Sequence, residues 1–199
     1  QWEPEGQDMA FTFHLKEDFF QGELTYSDGK QYNWTAVRQA PLPYAPAPQR
    51  GEPIQLFNGT DLTGWIHDSN GQWEVKNGIL NNPKSGVILV TVQKFSDFKL
   101  HIEFRYPEGG NSGVYLRGRY EVQVQDAHGK DPSSVRFGGI YGFITPNEMA
   151  ALPAGKWQSY DITLLGNRVT VIANGKAIIV DQTIPGITGG ALDADEGTP

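Results

Sequence analysis

The 199-residue chain contains no cysteine, which rules out a disulfide framework, thiolate chemistry and any cysteine-ligated metal site. It also has no apolar run approaching the roughly 18 residues that a membrane-spanning helix requires. Positive charge is sparse and scattered. The 16 Lys and Arg stand against 23 Asp and Glu, for a net charge of −7, and nowhere gather into the basic footprint of a nucleic-acid or anionic-membrane partner. Helical periodicity is never sustained over three turns. The glycine-rich stretch "GGIYGFITP", residues 138–146, lacks a following helix and the lysine of a phosphate cradle, so nucleotide binding is not supported.

What is present points to strands. With 24 Gly, 13 Pro and 12% aromatic residues, the composition suits many short strands joined by tight turns. Asp28-Gly29, Asn77-Gly78 and Asn174-Gly175 each lie between β-prone runs, the strongest short-range signal for a hairpin. "GVILVTV" at 86–92 is β-branched, and "FKLHIEFRY" at 98–106 alternates strictly. "NEMAALPAG" at 147–155 is expected to form one helical turn that Pro153 ends. The expected fold is all-β: an antiparallel jelly-roll β-sandwich.

Three segments follow from this pattern. Residues 1–39 read as a small N-terminal β-hairpin appendage, too few strands to stand alone and so expected to be the tail of a preceding β-domain. Residues 40–53, "APLPYAPAPQRGEP", carry five prolines and read as an extended linker. Residues 54–199 read as the sandwich. Its acidic end "ALDADEGTP" reads as a disordered tail rather than a calcium loop. Asn33-Trp-Thr and Asn58-Gly-Thr fit the N-glycosylation pattern, one short enough to recur by chance.

Alternate side chains of a strand face opposite ways. In 98–106 the apolar set is Phe98, Leu100, Ile102, Phe104 and Tyr106, opposite Lys99, His101, Glu103 and Arg105. In "GVYLRGRYEVQV" the apolar set is Val114, Leu116, Tyr120, Val122 and Val124, opposite Tyr115, Arg117, Arg119, Glu121, Gln123 and Gln125. Tyr160, Ile162 and Leu164 read inward, whereas Trp157, Asp161 and Thr163 read outward. A solvated sheet face is the ordinary explanation for such a polar set. This one, however, is rich in Arg, Glu, Gln and aromatics, which supply directional hydrogen bonds and a stacking plate for sugar rings. Asp126 and His128 follow directly in "VQDAHGKD", with the chemistry for acid–base work or cation binding, although such a pair in a loop is more often structural.

Several motifs occur together and in order: "LFNGTDLTGW" (56–65), "GQWEVKNGIL" (71–80), "HIEFRY…GGNSGVYLRGRYEVQVQD" (101–126), "GGIYG" (138–142), "WQSYDITLLGNRVTVIANG" (157–175) and "IPGITGGALDADEGTP" (184–199). Over about residues 53–199 the chain thereby resembles the 3-keto-disaccharide hydrolase family. The resemblance implies a concanavalin A-like jelly roll in extracytoplasmic bacterial proteins, secreted, periplasmic or on the cell surface, often as part of longer chains with other domains or subunits. It also implies a saccharide ligand: glycosides already oxidised to a ketone at carbon 3. There the carbon-2 hydrogen is acidic, a general base removes it, and the enolate expels the aglycone from carbon 1 before water adds back. That route asks for one base and an oxyanion stabiliser, an Arg or a divalent metal ion, rather than a glycosidase's paired carboxylates.

On the matching positions, the resemblance implies Glu121 or Glu103 as base, Arg117 and Arg105 as enolate or hydroxyl binders, and Gln123 and Trp157 as sugar-positioning groups. Asn111, Tyr115, Asp126 and His128 complete the expected substrate site. No cofactor is assigned, and metal ligands are left open. Members of the family continue beyond the "DEG.P" segment into a strand bearing a histidine, which the sequence to Pro199 does not include. A non-catalytic carbohydrate-binding or structural module of a larger assembly is the alternative reading, since one scaffold serves lectins and enzymes alike.

Overall fold

In the computed structural model of the protein, the described residues are 9–16, 19–37, 51–66, 73–84 and 88–188. The proline-rich stretch 40–50 and the acidic end lie outside them. All regular structure among these residues is β. β1 (Met9–Lys16), β2 (Phe19–Tyr26) and β3 (Gln31–Val37) form an antiparallel meander, with Gly29 at φ 81° in the β2–β3 turn. The register gathers Phe13, Leu15, Phe20, Leu24, Tyr26, Tyr32 and Trp34 onto one face. Gly22 lies beneath the Trp34 ring, where an added Cβ would come within 2.9 Å of the indole and 1.9 Å of the Thr12 carbonyl oxygen.

Short pairs follow: β4 (Trp65–Ile66) with β7 (Val90–Thr91), and β5 (Glu74–Lys76) with β6 (Ile79–Asn81). Of the β-branched run at 86–92, only Val90 and Thr91 pair as strand, and residues 86 and 87 lie outside the described residues. The sandwich is built from a four-stranded sheet in the order β13 (Lys176–Thr183), β12 (Arg168–Ala173), β11 (Gln158–Leu165) and β8 (Phe98–Phe104), and from the hairpin β9 (Asn111–Leu116) and β10 (Tyr120–Gln125). The free edge of β10 is met by residues 138–141, through Gly138 N to Gln123 O at 2.8 Å, Gln123 N to Gly139 O at 2.9 Å and Tyr141 N to Glu121 O at 3.0 Å. The glycines there answer to packing: a Cβ on Gly138 would meet Ile178 Cδ1 at 2.2 Å, and one on Gly139 the Ser134 carbonyl at 2.6 Å.

Both sheets turn their apolar sets onto one core. Tyr160, Ile162, Leu164, Val169, Val171 and Ala173 of the four-stranded sheet are buried against Leu116, Tyr120, Val122 and Val124 of the hairpin. Aromatic rings pack together in the core: Tyr160 lies 4.7 Å from Phe104 on the neighbouring strand β8 and 5.0 Å from Phe137, centroid to centroid. Such pairs add about 0.5–1.5 kcal/mol each beyond the area they bury. The Tyr160 hydroxyl donates to the Gln123 carbonyl at 2.7 Å, which ties the two sheets through a polar contact inside the core.

The expected helical turn at 147–155 does not form; the segment is an irregular loop. Side-chain amides hold its backbone instead. Gln158 accepts from Leu152 N (2.9 Å) and donates to Leu152 O (3.0 Å), while Asn174 donates to Ala150 O (2.8 Å). Gln158 opens the strand that follows the loop and Asn174 sits in a turn 24 residues from Ala150, and their bonds replace the local helical ones.

Candidate active site

The β9–β10 hairpin turns through Arg117 and Gly118, both left-handed at φ 55° and 69°, with Arg119 N donating to Leu116 O at 3.1 Å. That geometry suits a tight hairpin turn and costs strain at Arg117, a non-glycine residue. The Arg117 guanidinium is held by its Nη2 donating to Gly166 O at 2.7 Å and by the Tyr120 ring at 5.4 Å. It therefore points to the β11–β12 turn rather than along the polar face on which an enolate binder is expected. Arg119, expected outward, is fully buried.

Register places Asn111, Gly113 and Tyr115 of β9 alongside Gln125, Gln123 and Glu121 of β10 on the outer face of the hairpin. At its centre is Glu121. The Tyr115 hydroxyl donates to Glu121 Oε2 at 3.0 Å. A carboxylate only accepts, so the Gln123 amide is satisfied with its nitrogen toward Glu121, donating to Oε1 at 3.1 Å and to Ser112 O at 3.0 Å while its oxygen faces the Asn111 amide at 3.0 Å. Gln123 is only 3% exposed. Its amide supports the carboxylate from beneath the surface, where the expected role was to position a sugar.

Room for this arrangement comes from Gly113, where a Cβ would lie 2.1 Å from Glu121 Oε1 and 2.7 Å from both Cγ and Cδ. The Glu121 side chain lies flat across the space a methyl group would fill. The backbone is pinned on both sides: Glu121 N donates to Thr188 Oγ1 at 2.9 Å, and Thr188 in turn donates through both N and Oγ1 to Arg119 O at 3.0 Å. Burial pushes the Glu121 carboxyl above the ordinary carboxylate range, against the opposing pull of the Tyr115 hydrogen bond. Burial, and then the adjacent Glu121 charge, raises the Tyr115 phenol to about 12. Sequence reasoning missed Gly113 and Thr188. Neither carries a chemical signature, and only a register can reveal what a glycine makes room for.

The other expected site residues do not join this group. Glu103, Arg105 and Trp157 lie on the outer face of the four-stranded sheet, across the core from Glu121, so a single hollow holding both carboxylates is excluded by the layer order. There Arg105 stacks over Trp157 at 5.1 Å, and His101 Nδ1 meets Asp161 Oδ1 at 2.7 Å with Glu103 4.0 Å from Nε2. Asp126 accepts from Gly109 N at 3.0 Å, closing the turn after β8, and His128 Nδ1 meets Ala151 O at 2.8 Å. Two open hollows lie beside these residues: one of about 490 Å³ bordered by Glu108, Asp126, His128 and Pro153, the other of about 360 Å³ bordered by His128, Met149, Leu152 and Lys176. The buried Tyr106 hydroxyl has no hydrogen-bond partner among the described residues. Its phenol is raised to about 12 by burial and the Asp126 charge.

No group of three or more His, Asp or Glu side chains among the described residues is placed to hold a metal ion. The Glu121 group itself offers one carboxylate and neutral amide and hydroxyl partners, a poor match to a hard divalent cation. No helix of the described residues is long and apolar enough to cross a membrane.

The comparisons agree with this architecture. No curated protein matches the chain. A crystal structure of a proposed glycosyl hydrolase from Parabacteroides distasonis ATCC 8503 is 31% identical, with a TM-score of 0.58 over 73% of this chain and 72% of that one. Two further proposed glycosyl hydrolases of the same organism share the fold, at 21% and 24% identity and a TM-score of 0.53 each. They cover 62% and 61% of this chain, and 70% and 68% of their own. The model of the 3-keto-alpha-glucoside-1,2-lyase-like domain matches residues 52–198. The chain belongs to the 3-keto-alpha-glucoside-1,2-lyase-like domain family.

Proposed function

We propose that this is a carbohydrate-active, glycosyl hydrolase-like domain that cleaves 3-keto-glycosides by elimination, with Glu121 as the general base. One observation carries the reading: Glu121 is a half-buried carboxylate, held in one orientation by Tyr115 and Gln123 over a glycine that leaves it room, on the outer face of a sheet. A carboxylate in water is too weak a base to take a carbon-bound proton efficiently. Desolvation raises its basicity toward the operating pH, which is what proton abstraction next to a ketone demands. Family membership supports this choice of substrate class.

In the first step the C2–H bond breaks, Glu121 takes the proton, and the electron pair delocalises onto the C3 oxygen as an enolate. Collapse of the enolate then breaks the C1–O bond, leaving an unsaturated ketone to which water adds. A fixed carboxylate lowers the barrier by position as well as by basicity. The test is aglycone release from a 3-keto-glucoside and from its unoxidised parent. Release from the ketone alone is the expected result. Equal release from both would point to ordinary glycoside hydrolysis, and sugar binding without release from either would favour a non-catalytic binding module.

A further inference from the structure

Elimination moves a proton out of the sugar at C2 and needs one in at the leaving oxygen. An alkoxide departs poorly unless it is protonated as the bond breaks. Only some side chains near Glu121 can donate. Gln123 is buried and its nitrogen is committed to Glu121 Oε1 and Ser112 O. Arg117 is turned toward Gly166. Asp126 and His128 sit beyond the end of β10, engaged with Gly109 and Ala151. Tyr115 remains. It lies directly across the strand pair from Glu121, on the same face, with its O–H 3.0 Å from Oε2.

We propose that the Tyr115 hydroxyl is the general acid that protonates the departing aglycone oxygen, and that Glu121 resupplies it. This rests on the elimination reading above. The balance closes within the pair. Glu121 takes the C2 proton; the enolate forms and collapses, breaking C1–O; the aglycone oxygen takes the Tyr115 proton; and the phenolate recovers a proton from the Glu121 carboxyl across their existing hydrogen bond. Nothing is oxidised or reduced, and the pair returns to carboxylate and phenol. With its phenol raised to about 12, Tyr115 is protonated throughout the neutral range and so available as a donor. The same hydrogen bond that orients the base in the resting protein becomes, with its direction reversed, the path that reloads the acid.

Tyr115→Phe keeps the ring and removes the proton. Its effect should depend on the leaving group, which a purely structural role would not produce. On a 4-nitrophenyl 3-keto-glucoside, whose aglycone leaves unassisted, the variant should lose only what a less firmly held Glu121 costs, a loss common to every substrate. On the methyl 3-keto-glucoside it should lose about 10²-fold or more beyond that common loss, the usual contribution of a general acid. Equal losses on both substrates, or no loss on either, would overturn the assignment. An independent readout uses the wild type alone: across aglycones of graded acidity, kcat/KM should vary only weakly, and a steep dependence would also overturn it. If the wild type releases no aglycone from any 3-keto-glucoside, the elimination reading fails first and takes this proposal with it, whereas the leaving-group pattern tests Tyr115 alone.

Discussion

A methyl group on Gly113 would stand 2.1 Å from Glu121 Oε1, so Gly113→Ala must push the carboxylate off its seat. The φ of this glycine is not left-handed, and the backbone itself should tolerate alanine. The expected outcome is a fall in kcat/KM of about 10²-fold, the scale of a displacement near 1 Å in a catalytic group, with only a small change in thermal unfolding. Steady-state kinetics beside a melting curve would check it. Glu121 also leaves a signature in stability. Because burial raises its folded-state pKa above the unfolded value, the native protein binds more protons than the unfolded chain between those two values, and stability falls as pH rises through that window. Glu121→Gln should therefore be more stable than the wild type at neutral pH, with the advantage vanishing below the unfolded pKa. Denaturant midpoints at pH 3 and pH 7 would show it. The candidacy of Glu121 was legible in the alternation of "RYEVQV". Its partners were not, because Gly113 and Thr188 acquire meaning only when a register and a distant loop bring them beside it.

At the level of elements, the turns were the most legible part. Asn77-Gly78 and Asn174-Gly175 adopt left-handed pairs, with φ of 53° and 73° and of 51° and 80°. Strict alternation in β8 and β11 translated directly into buried and open faces. The loop at 147–155 is irregular rather than helical because side chains beyond it, Gln158 and Asn174, take up its backbone groups. Asn174 Nδ2 donates to Ala150 O and Gln158 Oε1, both at 2.8 Å, and Asn174 Oδ1 accepts from Ser159 N at 2.8 Å. Asn174→Gly keeps the left-handed backbone but leaves Ala150 O and Ser159 N without the amide, while Gln158 Oε1 keeps Leu152 N, and it should cost roughly 2–6 kcal/mol at about 1–3 kcal/mol for each buried group left unsatisfied. Asn174→Ala should cost about 1 kcal/mol more for the left-handed φ. Equilibrium urea unfolding would separate the two contributions. A glycine variant as stable as the wild type would show that water replaces the amide.

The whole molecule separates what a strand pattern cannot: two outward polar faces that point in different directions. Alternation marks Glu103 and Glu121 alike as outward, yet outward from the four-stranded sheet and outward from the hairpin are opposite directions across one core. Arg105 and Trp157 share the side of Glu103, with Trp157 45% exposed. Trp157→Ala should accordingly leave 3-keto-glucoside cleavage within about twofold of the wild type, in keeping with surface substitutions away from special features. A large drop in kcat would mean that the outer face of the four-stranded sheet takes part in the chemistry. The most direct test compares the two carboxylates by aglycone release from a 3-keto-glucoside at neutral pH. Glu121→Gln should lose about 10²-fold or more of the wild-type rate, while Glu103→Gln keeps it; a Glu121→Gln variant at wild-type rate, or the reverse order of the two, would contradict a base on the outer face of the hairpin.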